Sequence, residues 1–151
     1  MVGRRTRAVF VTAAAAVAIA LGCADFETPV DPTGGAPDTL VPTPSFAANV
    51  VPIFEQRCAT GGCHSLATQQ AGLVLTANEA YASLVGVPST RVPPMVRVSP
   101  SQPNQSWLVA MIEDDDAARK GYSRMPLATQ PLTENQIATI VRWIEQGAQR
   151  N

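Results

Sequence analysis

The sequence predicts an all-α fold: a small domain of about four short helices joined by Pro-rich loops, confined to residues 46–151. Three observations carry that expectation. Four segments repeat their apolar residues at helical spacing between recognisable caps, the pattern of short amphipathic helices. No segment alternates apolar and polar residues convincingly enough for a strand, and no internal repeat is visible. The stretches between the four segments are rich in proline, whose ring removes a backbone donor and interrupts regular structure.

Two segments precede the domain. Arg4, Arg5 and Arg7 lead into Ala8–Leu21, fourteen residues that are apolar except for Thr12. A run of that length is short for a transmembrane span, which needs about 20 residues, and normal for the core of a secretory signal. Residues 1–22 are therefore expected to be a signal peptide. The run ends in "ALGC", which resembles the lipobox of bacterial lipoproteins. That resemblance implies that Cys23 becomes the lipidated first residue of the mature chain; a simple cleaved signal with Cys23 incidental is the other reading. Residues 24–45 contain five prolines, four acids and no Lys or Arg. They hold too little apolar surface to offset the entropy of ordering, so residues 23–45 are expected to form a disordered, extended tether.

The first helix is read from Phe46, Val50, Ile53 and Phe54, with Ser45 as N-cap and Pro52 expected to kink or loosen it. The second is read from "TANEAYASLVG", with a capping box from Thr76 to Glu79, apolar Tyr81, Leu84 and Val85, and Gly86 closing it. Residues 87–104 read as an irregular loop wrapped around something. In "NQSWLVAMIED" a short helix turns Trp107, Leu108, Met111 and Ile112 inward. "LTENQIATIVRWIEQGA" is the clearest element. Thr133 and Gln136 form a capping box, Ile137, Ile140, Val141 and Ile144 make the apolar stripe, and Gly147 ends it.

Residues 46–151 carry eight Lys or Arg against eight Asp or Glu. Without a basic stripe, nucleic acid is not an expected partner, and near-neutrality gives no long-range steering. Paired catalytic carboxylates, a Ser-His arrangement and a phosphate-binding loop are also missing from the sequence.

Chemistry concentrates in "CATGGCH", residues 58–64, which holds two of the three cysteines and the only histidine. In an oxidising compartment Cys58 and Cys63 can form a small disulfide loop with His64 a bystander, join a metal site, or attach a cofactor. A zinc site needs about four ligands, and no second Cys/His cluster completes one. Two thiols that add across the vinyl groups of haem form thioethers, and a His directly after the second Cys then lies beneath the iron. The segment thereby resembles the attachment motif of c-type cytochromes, here with four residues between the cysteines in place of the commoner two. Gly61 and Gly62 are expected to let the longer loop bulge.

A second axial ligand would have to be a thioether, from Met95, Met111 or Met125. "GYSRMPLATQPLT" resembles the Met-Pro loop that precedes the last helix in small c-type cytochromes, which implies Met125 as distal ligand. Met95 is held in reserve, and Met111 reads as core. The resemblance extends to a helix that leads into the first Cys and a closing amphipathic helix, with Trp143 expected near Phe54 or Val50. It implies a cytochrome c-like domain wrapped around one covalent haem (heme c), held by Cys58, Cys63, His64 and Met125. The metal ligands would be His64 and Met125, and Arg91, Arg97 or Arg124 could neutralise a propionate. The function implied is an electron carrier, not an enzyme in itself, that serves redox partner proteins. It would be exported to the bacterial periplasm or cell surface and meet a membrane only through its lipid. Two other functions stay open: a haem-free, disulfide-stapled interaction lipoprotein, and a haem sensor or oxidoreductase subunit with a labile distal Met.

Overall fold

Pro52 decides how the first helix begins. Lacking an N–H, it is harmless only in a helix's first turn, and the computed structural model, which describes residues 38–127 and 129–151, places it there. Phe46–Val50 forms a wider π turn, with the Val50 N–H donating to the Ser45 carbonyl at 3.3 Å. The α-helix proper, α1, then runs Val51–Arg57 with Pro52 in its opening turn. The expected loosening thus takes the form of one π turn. Ser45 caps it as predicted, its hydroxyl accepting from the Ala48 N–H.

Three further α-helices follow: α2 (Ala80–Leu84), α3 (Trp107–Ile112) and α4 (Glu134–Glu145). Short 3-10 turns at Gln70–Gly72 and Pro103–Gln105 join them, and no strand occurs among the described residues. The fold is helical, as the sequence predicts. The capping box expected at Thr76 and Glu79 is not formed, because no side chain caps α2 from within. Glu55 of α1 accepts from the Ala77 N–H at 3.2 Å instead. The Glu79 and Ala80 N–H groups both bond to the Thr76 carbonyl, making a turn that delays the helix to Ala80. α4 starts with the predicted box, Thr133 and Gln136 exchanging side-chain bonds to each other's backbone N–H. It ends before Gly147, whose φ of +95° suits a residue without Cβ.

One apolar core joins these pieces. Phe46, Val50, Ile53 and Phe54 from the first helix meet Leu84, Leu108, Ile112, Ile140, Trp143 and Ile144. Trp143 finds its ring partner one turn earlier than expected: Phe46, with centroids 5.0 Å apart, and Phe46 in turn meets the edge of Tyr81. The chain's end is tied to the same place, since the Ala47 N–H donates to the Asn151 carbonyl at 2.9 Å.

The 87–104 loop folds back on α2. The Gly86 N–H bonds to the Val98 carbonyl (2.9 Å) and the Arg97 N–H to the Val87 carbonyl (2.8 Å), with isolated bridges at Val85–Val98 and Pro88–Val96. Residues 1–37, with the signal segment, Cys23 and most of the tether, lie outside the described residues. The tether's last residues are part of the folded body: Pro44 is fully buried, and the Pro42 carbonyl accepts from the Gln146 side chain at 3.0 Å. None of the described helices is long and apolar enough to cross a membrane.

Candidate functional site

α1 hands the chain directly to Cys58, whose N–H still bonds to Phe54 at 2.8 Å. The next six residues close on themselves. The His64 N–H donates to the Cys58 carbonyl (3.1 Å) and the Cys63 N–H to the Thr60 carbonyl (3.0 Å). The longer spacing is thus absorbed in a turn that still returns Cys63 and His64 to Cys58. Of the two glycines, only Gly62 uses the left-handed region, at φ +88°. Both cysteines are half-buried and carry free thiols. Burial pushes the Cys58 thiol up to about 12; Arg57 next to it opposes this and Cys63 adds to it. Cys58 therefore stays protonated near neutrality, a weak nucleophile without assistance.

His64 is set up differently. Its Nδ1 lies 3.1 Å from the Gln70 carbonyl. A carbonyl only accepts, so Nδ1 carries the proton and Nε2 keeps its lone pair. Burial lowers the imidazole below its ordinary 6.5, hydrogen bonding to the Leu73 and Gln70 backbone opposes this, and the Arg97 charge lowers it further. A neutral ring fixed by a carbonyl on one nitrogen is the arrangement of a metal-ligating histidine. Among the described residues no three His, Cys, Asp or Glu side chains converge to hold a metal ion.

Cys58, Cys63 and His64 open onto a cavity of about 690 Å³, within the ~300–1,000 Å³ usual for small-molecule sites. Met125 lines the same cavity, although 61 residues separate it from His64 in the chain. Met95, the reserve, is not among the lining residues; its backbone closes the 89–95 turn, its carbonyl accepting from the Ser89 N–H at 2.8 Å. Met111, expected in the core, does line the cavity, on the face of α3 that also presents Trp107, Leu108 and Ile112. Its i, i+4 relation to Trp107 was the available signal. Trp107 also holds the Met125 loop close, its ring meeting the edge of Tyr122 at 5.6 Å.

The cavity's charge is one-sided. Arg57, Arg91 and Arg97 line it, and no Asp or Glu does. Arg97 is 8% exposed and donates only to carbonyls, those of Ser83, Ala71 and Gly72. Arg57 Nε is buried without a partner. Arg124 turns elsewhere, donating to the Ile112 carbonyl at 2.9 Å. An apolar cavity bordered by three guanidinium groups, that of Arg97 buried, and by no carboxylate suits an apolar ligand bearing acid groups. Compared with known proteins, the chain matches no family model, and no curated protein or solved structure shows significant similarity to it.

Proposed function

We propose that this protein is a lipid-tethered electron carrier with one covalent haem, exported to the periplasm or cell surface. The observation that carries the reading is the meeting of two free thiols, one neutral imidazole and the Met125 thioether on a single cavity. Cys58 and Cys63 would form the thioether links, His64 would be the proximal ligand and Met125 the distal one. The group supplies reversible one-electron chemistry when bound, and a Met ligand raises its reduction potential.

The chain's own residues do the rest. The Gln70 carbonyl holds the His64 tautomer that leaves Nε2 free. Leu73, Leu75, Leu84, Leu108 and Ile112 supply apolar walls that exclude water. Arg97, and Arg91 beside it, offer cations to the acid groups. Gly62, Tyr122 and Leu127 are among the exposed residues on the lining, and Leu127 is 52% exposed. They form the lip at which a redox partner protein would meet the cofactor's edge. Held by both His64 and Met125, the group would supply electron transfer in preference to oxygen activation.

The test is the full chain, expressed in cells that mature c-type cytochromes. A Soret band and haem staining that survives a denaturing gel are expected. A colourless product in which Cys58 and Cys63 are joined to each other would overturn the reading and leave the disulfide-stapled interaction protein.

A further inference from the structure

Arg57 stands immediately before the first attachment cysteine, yet its guanidinium is committed to a distant part of the chain. Its Nη2 donates to the carbonyls of Gln130 (2.5 Å) and Pro131 (3.4 Å). Those residues carry the chain out of the Met125 loop and into α4. A planar guanidinium is suited to two neighbouring acceptors at once, whereas an ammonium is a compact point charge.

The loop's other end is also fastened. The Met125 N–H donates to the Met111 carbonyl at 2.7 Å, and Arg124 Nε to the Ile112 carbonyl at 2.9 Å. Both acceptors are terminal carbonyls of α3, which have no partner inside the helix. Between the two fastenings Leu127 and Thr129 are exposed. The chain that follows Met125 is thus fixed at the front by α3 and, where it enters α4, at the rear by Arg57, and this stretch is called the strap. Arg57, Cys58 and Met125 all line the same cavity.

We propose that Arg57 is a positioning residue for the distal ligand: it fastens the rear of the Met125 strap to the helix that presents Cys58, so that the two faces of the cofactor site are held by one side chain. This rests on the reading of Cys58, Cys63, His64 and Met125 given above. Without Arg57 the front fastening and the core remain, so the domain still folds, but Met125 leaves its position more often. A hydrogen bond from a charged donor weighs enough to raise that open population about tenfold to a hundredfold.

The experiment uses the full chain matured in the periplasm, as wild type, Arg57→Ala, Arg57→Lys and Arg57→Gln. Three quantities are read: covalent haem on a denaturing gel, the rate of carbon monoxide association with the reduced protein, and hydrogen exchange of the 126–132 peptide. In Arg57→Ala, covalent haem is expected to persist. Carbon monoxide association and exchange of the strap are expected to rise about tenfold to a hundredfold, with exchange in α4 unchanged. Arg57→Lys is expected to fall between, because it restores one charged donor. Should Arg57→Ala fail to accumulate, the Lys and Gln variants carry the same comparison. Wild-type rates in a haem-loaded Arg57→Ala, or in Arg57→Gln in its place, would overturn the proposal and leave the haem reading intact. A wild-type chain without covalent haem would overturn that reading, and the positioning role of Arg57 with it.

Discussion

Arg97 offers a quantitative test of how the site is held together. Its guanidinium is almost wholly buried and bridges two parts of the chain, with Nη1 on the Ser83 carbonyl at 2.7 Å and Nη2 on the Ala71 and Gly72 carbonyls at 3.1 Å each. The 71–72 segment directly follows Gln70, whose carbonyl orients His64. Arg97→Ala removes three charge-assisted hydrogen bonds, each worth about 1.5–3 kcal/mol, and strands three acceptors. Against that gross loss of roughly 4.5–9 kcal/mol stands relief of the several kcal/mol that burying a cation costs. The net expectation is about 2–4 kcal/mol of lost stability. In urea unfolding of the haem-free chain, with a slope of about 2 kcal/mol/M, the midpoint should fall by about 1–2 M at unchanged slope. The His64 pKa should rise, since the Arg97 charge contributes to lowering it. An unchanged midpoint together with an unchanged His64 titration would refute this account of Arg97.

Three other outcomes are expected. Met125→Ala should abolish the weak far-red absorption of a thioether on ferric iron, while Met95→Ala leaves it; a band that persists in Met125→Ala and disappears only with Met111→Ala would move the ligand to α3. Gly62→Ala should cost about 1–2 kcal/mol, because φ +88° is strained for any residue with a Cβ, whereas Gly61→Ala, with open space around it, should change the thermal midpoint little. In the haem-free protein, a Cys58 thiol held up near 12 against its ordinary 9.0 stays protonated in the fold while the unfolded chain ionises. Its contribution is therefore full below pH 9.0 and lost as pH rises toward 12. Cys58→Ala should flatten the fall of stability across that window in pH-dependent unfolding.

Caps show where local reading succeeds and where it stops. Thr133/Gln136 and Thr76/Glu79 present the same pattern, yet only the first makes its box. Both residues of the working box lie in one helical turn, and the outside acceptor at that end, Asp38, takes the Thr133 hydroxyl and the Asn135 side chain without competing for the N–H groups that the box satisfies. At Ala77 an acceptor comes from α1, in Glu55, and the local pattern loses to it. Pro52 was legible as a disturbance, but its accommodation by a π turn depended on Ser45 and the packing of Phe46 and Val50.

The methionines divide in the same way. Met95, Met111 and Met125 are chemically alike; in the sequence Met95 follows Pro93 and Pro94 in a loop and is held in reserve as a ligand, while Met111 shares a helical face with Trp107 and Leu108 and reads as core. In the fold Met95 sits in a turn closed by its own backbone, while α3 turns Met111 toward the cavity with Trp107. Arg57 was not singled out from sequence, since its partners are backbone carbonyls 73 and 74 positions away.

By itself, then, the sequence determined the helical class, the bounds and caps of α4, and the contiguous group of Cys58, Cys63 and His64. Each of these depends on interactions among residues a few positions apart. Only the tertiary structure decided that Met125 and not Met95 shares a cavity with His64, that the cavity is lined by cations without acids, and that Arg57 reaches the Gln130 and Pro131 carbonyls. Those are contacts between distant segments, and they exist only once Phe46, Phe54, Ile140 and Trp143 have brought the two ends of the chain into one core.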